Sequence, residues 1–209
     1  MAIYLQNLSQ KRQTNLMGYT KSEIEKIGNT LIYLQEKIGE RISKTKAIKL
    51  LYFLEEFSIK KYGRPFLGLE WEVWHLGPVS EDLYAEINEP YMLNEHIKHS
   101  HVNGIDGCFI EPKHSFVDDE FSDSDIQLMD ILVENIGHLN ATQLIDKTHL
   151  PHTLWYKIAK ENNLLESFGN KSKTTSDFKI DLSDLLSEDK QEMYKIYLES
   201  KEISRSYAM

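Results

Sequence analysis

Apolar positions near the start of the chain recur at helical spacing. Ile24, Ile27, Leu31, Leu34 and Ile38 follow one another at alternating steps of three and four. Thr20, with Glu23 three residues on, has the form of a capping box, and Gly39 supplies a stop, so the pattern predicts one amphipathic helix. A second helix is predicted from Ser43 through Tyr62, closed by Gly63 in a left-handed cap and by Pro65, which blocks continuation. Its middle, Ala47 to Phe57, is apolar on nearly every side, the mark of a helix buried between other elements. At about 20 residues it would span roughly 30 Å, the width of a small domain, which makes it the expected central helix.

After Pro65 the period changes to two. Leu67, Leu69, Trp71, Val73 and His75 share one face and Glu70, Glu72 and Trp74 the other, predicting a half-buried strand that Gly77-Pro78 ends. Ser80 is then expected to cap a short helix with Glu81 and Asp82 in its first turn. A second strand is expected around Gly107 to Lys113 and a third around Ser115 to Val117. Helical signals return at Ser122 with a stop at Gly137, at Asn140, and at Pro151, read as the opening of a helix with Leu154, Trp155 and Ile158. Ser167 to Asp177 is polar and without period, as in a mobile loop. A last helix, Ser187 to about Glu202, has Met193, Ile196 and Tyr197 as its apolar side. The expected fold is mainly α (α+β), a helical domain around a buried central helix with a small β-sheet or hairpin. One domain, 1–209, is expected, its core over 20–160 and a C-terminal loop and helix over 161–209.

Composition narrows the function classes. Of 209 residues only Cys108 is a cysteine, so neither an intrachain disulfide nor a cysteine zinc site can form. No stretch approaches the ~18 uninterrupted apolar residues of a membrane span, and the opening residues lack a leader pattern, so the expected location is cytoplasmic, without membrane association. The sequons at Asn7 and Asn140 then carry no glycosylation meaning. The net charge of −9 divides into +6 for 1–65 and −15 for the remainder. The acidic part would repel phosphates, which argues against direct nucleic-acid binding.

Candidate chemistry is sparse, because the common phosphate-loop, dinucleotide, zinc-protease and serine-nucleophile motifs do not occur. His96, His99 and His101 could bring two imidazoles to one metal, but their polar connecting stretch reads better as a solvated loop. Neither metal nor cofactor is expected, and no enzymatic activity. Glu55 and Glu56, adjacent on a helix, face different ways and are expected to pair separately with lysines. Arg41, Lys44, Lys46 and Lys49 form a basic run at a helix start, read as a solvated face screened by Glu36 and Glu40 against the alternative of an anion or acidic-partner site. The acids of 117–125 read as caps and an exposed loop. Trp71 reads as core. Trp74, sharing its face with two glutamates, is a candidate surface anchor, with His75 and Tyr84 in the same segment.

Two separated stretches, ISKTKAIKLLYFLEEFSIKKYGRP from Ile42 and VWHLGPVSEDLY from Val73, carry a further signal. Lys49 to Phe53, Tyr62 to Pro65, Trp74, Gly77 to Val79 and Leu83-Tyr84 stand in the order found in the Panacea, or SocA-like antitoxin, domain of phage-associated proteins, which the chain resembles from about Thr20 to Ile158. His149 and Trp155 resemble the family's downstream histidine and tryptophan. The resemblance implies a mainly helical domain with a small β element that neutralises a cognate protein toxin, with some members delivering a toxin to a protease. It brings no catalytic residues, and it adds His149 and Trp155 to Trp74, His75 and Tyr84 as partner-binding candidates. Two alternatives are a phage-derived adaptor or regulator of proteolysis or transcription acting through protein contacts, and a metal-dependent hydrolase using histidines and acids.

Overall fold

The computed structural model describes residues 19–102 and 105–208. Helix α1, Lys21–Ile38, starts on the Thr20–Glu23 capping box and ends at Gly39 in the left-handed region. Helix α2, Lys44–Tyr62, starts at Ser43, whose hydroxyl accepts from the Lys46 N–H, and ends at left-handed Gly63. Both agree with the spacing. Helix α2 is central: Leu50, Leu51 and Leu54 are fully buried. It touches nearly every layer of the molecule, as an all-round apolar helix must.

The chain leaves α2 through a turn built on Glu55. Its buried carboxylate accepts the backbone N–H groups of Phe66, Leu67 and Leu69 at 2.6–3.2 Å. The expected pairing with a lysine holds for Glu56, which meets Lys60 at 2.8 Å, but not for Glu55. Loop amides cannot find ladder partners where the chain reverses, and a carboxylate satisfies several of them at once.

The turn delivers β1, Glu72–Trp74, which pairs antiparallel with β2, Gly77–Val79, across His75-Leu76. Gly77-Pro78 therefore continues the sheet instead of ending the strand. Val73, opposite Pro78, directs its N–H away from the hairpin to the Phe178 carbonyl, so the pair needs no proline donor. Gly77, at φ 93°, is needed for space as well as conformation: a Cβ there would meet the Lys49 Cε at 3.0 Å and crowd Thr148.

The polar stretch read as a mobile loop is mostly a strap along the free edge of β1. His75 N–H donates to Thr174 O, Val73 N–H to Phe178 O, and Ile180 N–H to Trp71 O. Ser176 and Ile180 are buried, while their neighbours face solvent. The strap also buries Glu72, expected on an open face, and pairs it with Lys179 at 2.9 Å.

Helix α3, Glu81–Asn88, follows Ser80, whose side chain makes no cap bond. Its Glu86 repeats the Glu55 device, accepting from Tyr91, Met92 and Leu93 in the next turn. Strands β3, Ile97–Val102, and β4, Ile105–Pro112, form a second hairpin, attached to the α1–α2 connection by the Ile110 N–H to Ile42 O bond. The histidine stretch is thus largely a strand, not a solvated loop. His96, at its entry, is buried against Gly28 of α1, where a Cβ would lie 2.8 Å from that of His96. Ser115 to Val117, expected as a strand, is irregular.

Helix α4, Asp123–Leu132, begins on a Ser122–Asp125 capping box and runs into a π-helical turn, Val133–Gly137. Asp125 is more than a cap in an exposed loop: it is buried and meets Lys26 and Arg64, each at 3.2 Å. Helix α5, Ala141–Thr148, is capped by Asn140 as expected. Helix α6, Leu154–Glu161, opens at Thr153 and leaves Pro151 in the preceding turn, and α7 is Leu164–Gly169. In α8, Gln191–Ala208, Met193 and Ile196 are about half exposed. The side toward the domain includes half-buried Tyr194 and Tyr197 and the Lys201 amine, which donates to Gly68 O, so of the apolar side assigned from sequence Tyr197 faces the domain while Met193 and Ile196 remain about half exposed.

Replacing Glu55 with glutamine exchanges an acceptor oxygen for an NH2 that opposes the loop amides. It should destabilise the fold by about 1–3 kcal/mol in urea titration. An unchanged midpoint would show that the turn holds without the carboxylate.

Candidate functional site

Beside the tip of the first hairpin lies a cavity of about 340 Å³. Its walls come from the start of α2 (Lys44, Ile48, Lys49), the hairpin (Trp74, His75), Tyr84 of α3 and the strap (Thr174, Thr175). Trp74 and Tyr84 pack with ring centroids 5.2 Å apart. The Trp74 indole N–H donates to Glu72, which Lys179 holds from behind. Lys44 places its amine 3.8 Å from the Tyr84 ring centroid and donates to Asn88, combining a cation–π contact with a neutral acceptor. Leu76, at the tip, is 43 % exposed.

Lys49 closes the inner end. It is 1 % exposed, and its amine donates to the Pro78 carbonyl at 2.6 Å, its single hydrogen bond among the described residues. Burial without an ion pair disfavours the ammonium and brings its pKa down to about 7. The basic run is therefore not one solvated face: Arg41 is exposed and Lys44 half-buried, Lys46 is buried against Glu40 at 2.9 Å, and Lys49 is internal. Glu36, read as a screen for this run, accepts the Phe116 N–H.

Beneath the hairpin, His149 and Trp155 stack at 3.9 Å. The Trp155 indole N–H donates to the Trp74 carbonyl at 2.8 Å. The His149 Nε2 is buried without a hydrogen-bond partner among the described residues. Burial, then the charge of Lys49, drive its pKa down to about 4, against the pull of Asp146.

Of the five candidates, Trp74, His75 and Tyr84 line the cavity together. His149 and Trp155 do not line it. Trp155 is 3 % exposed and supports the hairpin from inside, so it has no surface to present. Sequence reasoning weighed Lys44 and Lys49 only within the basic run and did not join them to the hairpin, although a lysine inside the run read as apolar all round was the available signal. It also missed the strap threonines, which carry no pattern of their own.

The metal question has a local answer. His96 Nδ1 and His114 Nε2 share a hydrogen bond of 3.1 Å, and His96 Nε2 is 3.4 Å from Glu25. His99 is exposed on β3, and the His101 side chain lies outside the described ones. Among the described residues no group of three or more His, Cys, Asp or Glu side chains is placed to hold a metal ion.

The family described as "Antitoxin SocA-like, Panacea domain" matches residues 48–156, more than half of the chain. The chain belongs to this family. The matched span of this SocA-like domain runs from within α2 into α6 and includes the hairpin, the Tyr84 wall and the His149–Trp155 support. It leaves the strap, which completes the cavity rim, outside. No curated protein and no solved structure matches the chain. Among the described residues no helix is long and apolar enough to cross a membrane.

The state of Lys49 has a thermodynamic signature. Its folded pKa lies below the unfolded value, so between about pH 7 and 10 the unfolded chain binds the extra proton and stability rises with pH. The parent should gain up to about 1.4 kcal/mol per pH unit there relative to Lys49→Met, measured by urea unfolding at pH 7, 8 and 9. Parallel pH profiles would mean that Lys49 is not desolvated.

Proposed function

We propose that this chain is the antitoxin of a toxin–antitoxin pair, acting in the cytoplasm by binding its cognate protein toxin rather than by catalysis. The family match supports the antitoxin role, and one structural observation supports the place of contact. Around the hairpin tip stand half-buried Trp74, half-buried Tyr84 of α3 and exposed Leu76, with a recess between them. Large aromatic side chains that are already ordered contribute contact area at little entropic loss, the usual character of an interface hot spot. His75 extends the same edge. His149 and Trp155 act through the hairpin, holding the Trp74 backbone where the partner meets it.

Co-expression with the products of neighbouring genes, scored by rescue of growth, identifies the toxin. Trp74→Ala should then weaken toxin binding at least tenfold, about 1.4 kcal/mol, with the helical circular dichroism intact. Unchanged affinity would move the interface away from the hairpin. A lost thermal midpoint would assign Trp74 to the core. Rescue that disappears in a protease-deficient host would favour an adaptor that delivers its partner for degradation.

A further inference from the structure

We propose that the hairpin cavity receives an acidic side chain of the protein partner, its carboxylate paired with Lys49 and its stem lying against Trp74 and Tyr84. This deepens the antitoxin reading and rests on it. Three observations carry it. The cavity is lined by Lys44, Lys49 and His75 and, among the described residues, by no aspartate or glutamate, in a chain whose net charge is −9. Glu72, the nearby acid, is turned to the Trp74 indole and Lys179. The Lys49 amine has three donors and, among the described residues, uses one, on Pro78, beside a recess large enough for a carboxylate and its methylenes.

The electrostatics suit such an occupant. An ammonium buried without a counter-charge is a strained arrangement, and bringing in a carboxylate supplies the missing partner together with a charge-assisted hydrogen bond. Other groups near the amine do not supply it, because His149, His75 and Lys44 are bases and none can carry a negative charge. Binding would stabilise the protonated amine, so affinity should be full below about pH 7 and decline above it, as the free amine loses its proton.

The test uses the full chain and two capped dipeptides, N-acetyl-Phe-Glu-amide and N-acetyl-Phe-Gln-amide, titrated while the Trp74 indole resonance is followed by NMR. The glutamate peptide should shift the resonance saturably and bind at least fivefold tighter than the glutamine peptide at pH 6.5. The preference should shrink at pH 9 and vanish in Lys49→Met. Equal binding of the two peptides, no shift with either, or a preference that survives Lys49→Met would overturn the proposal. Should Lys49→Met fail to fold, Thr175→Glu on the exposed strap supplies an internal carboxylate and should block the glutamate peptide. The same Thr175→Glu chain should lose toxin neutralisation, and full neutralisation by it would overturn the assignment to the partner. Failure of the parent chain to rescue growth beside any neighbouring toxin is a separate result, and it would refute the antitoxin reading itself.

Discussion

The Glu55 carboxylate, sealed inside the molecule and ringed by backbone N–H groups, is the contact on which the rest of the structure depends. Helix α2 ends where its last turn must give way to a strand, and the loop amides released there have no ladder to join. Without an acceptor each would be a buried orphan donor worth about 1–3 kcal/mol. Glu55 collects three of them and thereby fixes the angle at which Trp71 and β1 leave the helix. Burial raises the pKa of this carboxyl and the loop amides lower it, with burial the stronger. The same solution recurs at Glu86, so two helices, α2 and α3, each use a glutamate to organise the turn that follows.

From that angle the cavity follows. The hairpin is laid across the start of α2, close enough that only glycine fits at position 77 and that Lys49 reaches the Pro78 carbonyl. The strap then satisfies the outer edge of β1, which would otherwise be an open template for another strand. In doing so it places Thr174 and Thr175 on the rim. The wall of the recess is thus a by-product of edge protection, supplied by Thr174 and Thr175, more than 110 positions further along the chain than the helix they face.

That distance explains which parts could be read in the sequence. Caps are local, and Thr20, Ser43, Gly39, Gly63, Ser122 and Asn140 all stand where the spacing put them. The central helix was legible because burial on all sides leaves no polar stripe. Legibility failed wherever a polar residue was buried by a remote partner. Glu72 looked solvent-facing until Lys179 covered it, and Asp125 looked like a cap until Lys26 and Arg64 converged on it. His96 looked like a loop residue because nothing local records that Gly28 opens a slot for its ring. In α8 the apolar spacing found Tyr197 but not Tyr194 and Lys201, which share the contact with the domain, and Met193 and Ile196 stay about half exposed. For the site, the aromatic hairpin and Tyr84 were legible as one segment, while Trp155 carried a family signal without revealing that its work is internal.

Lys49 brings these threads together. As a device for stability it is poor, because a buried ammonium with one hydrogen bond forfeits more hydration than a carbonyl returns, and an apolar side chain of similar length would fill the space without that loss. His149, packed nearby with a buried nitrogen that has no hydrogen-bond partner among the described residues, adds a second polar group that the fold alone does not reward. Both lie next to the hairpin, and neither is required by the Glu55 turn that positions it. Strain of this kind, placed beside the Trp74–Tyr84 pair, is better suited to recognition than to folding. A ligand charge that relieves it gains binding energy that a preneutralised pocket could not offer, and the domain keeps the lysine at a stability loss that its extensive core around α2 can absorb.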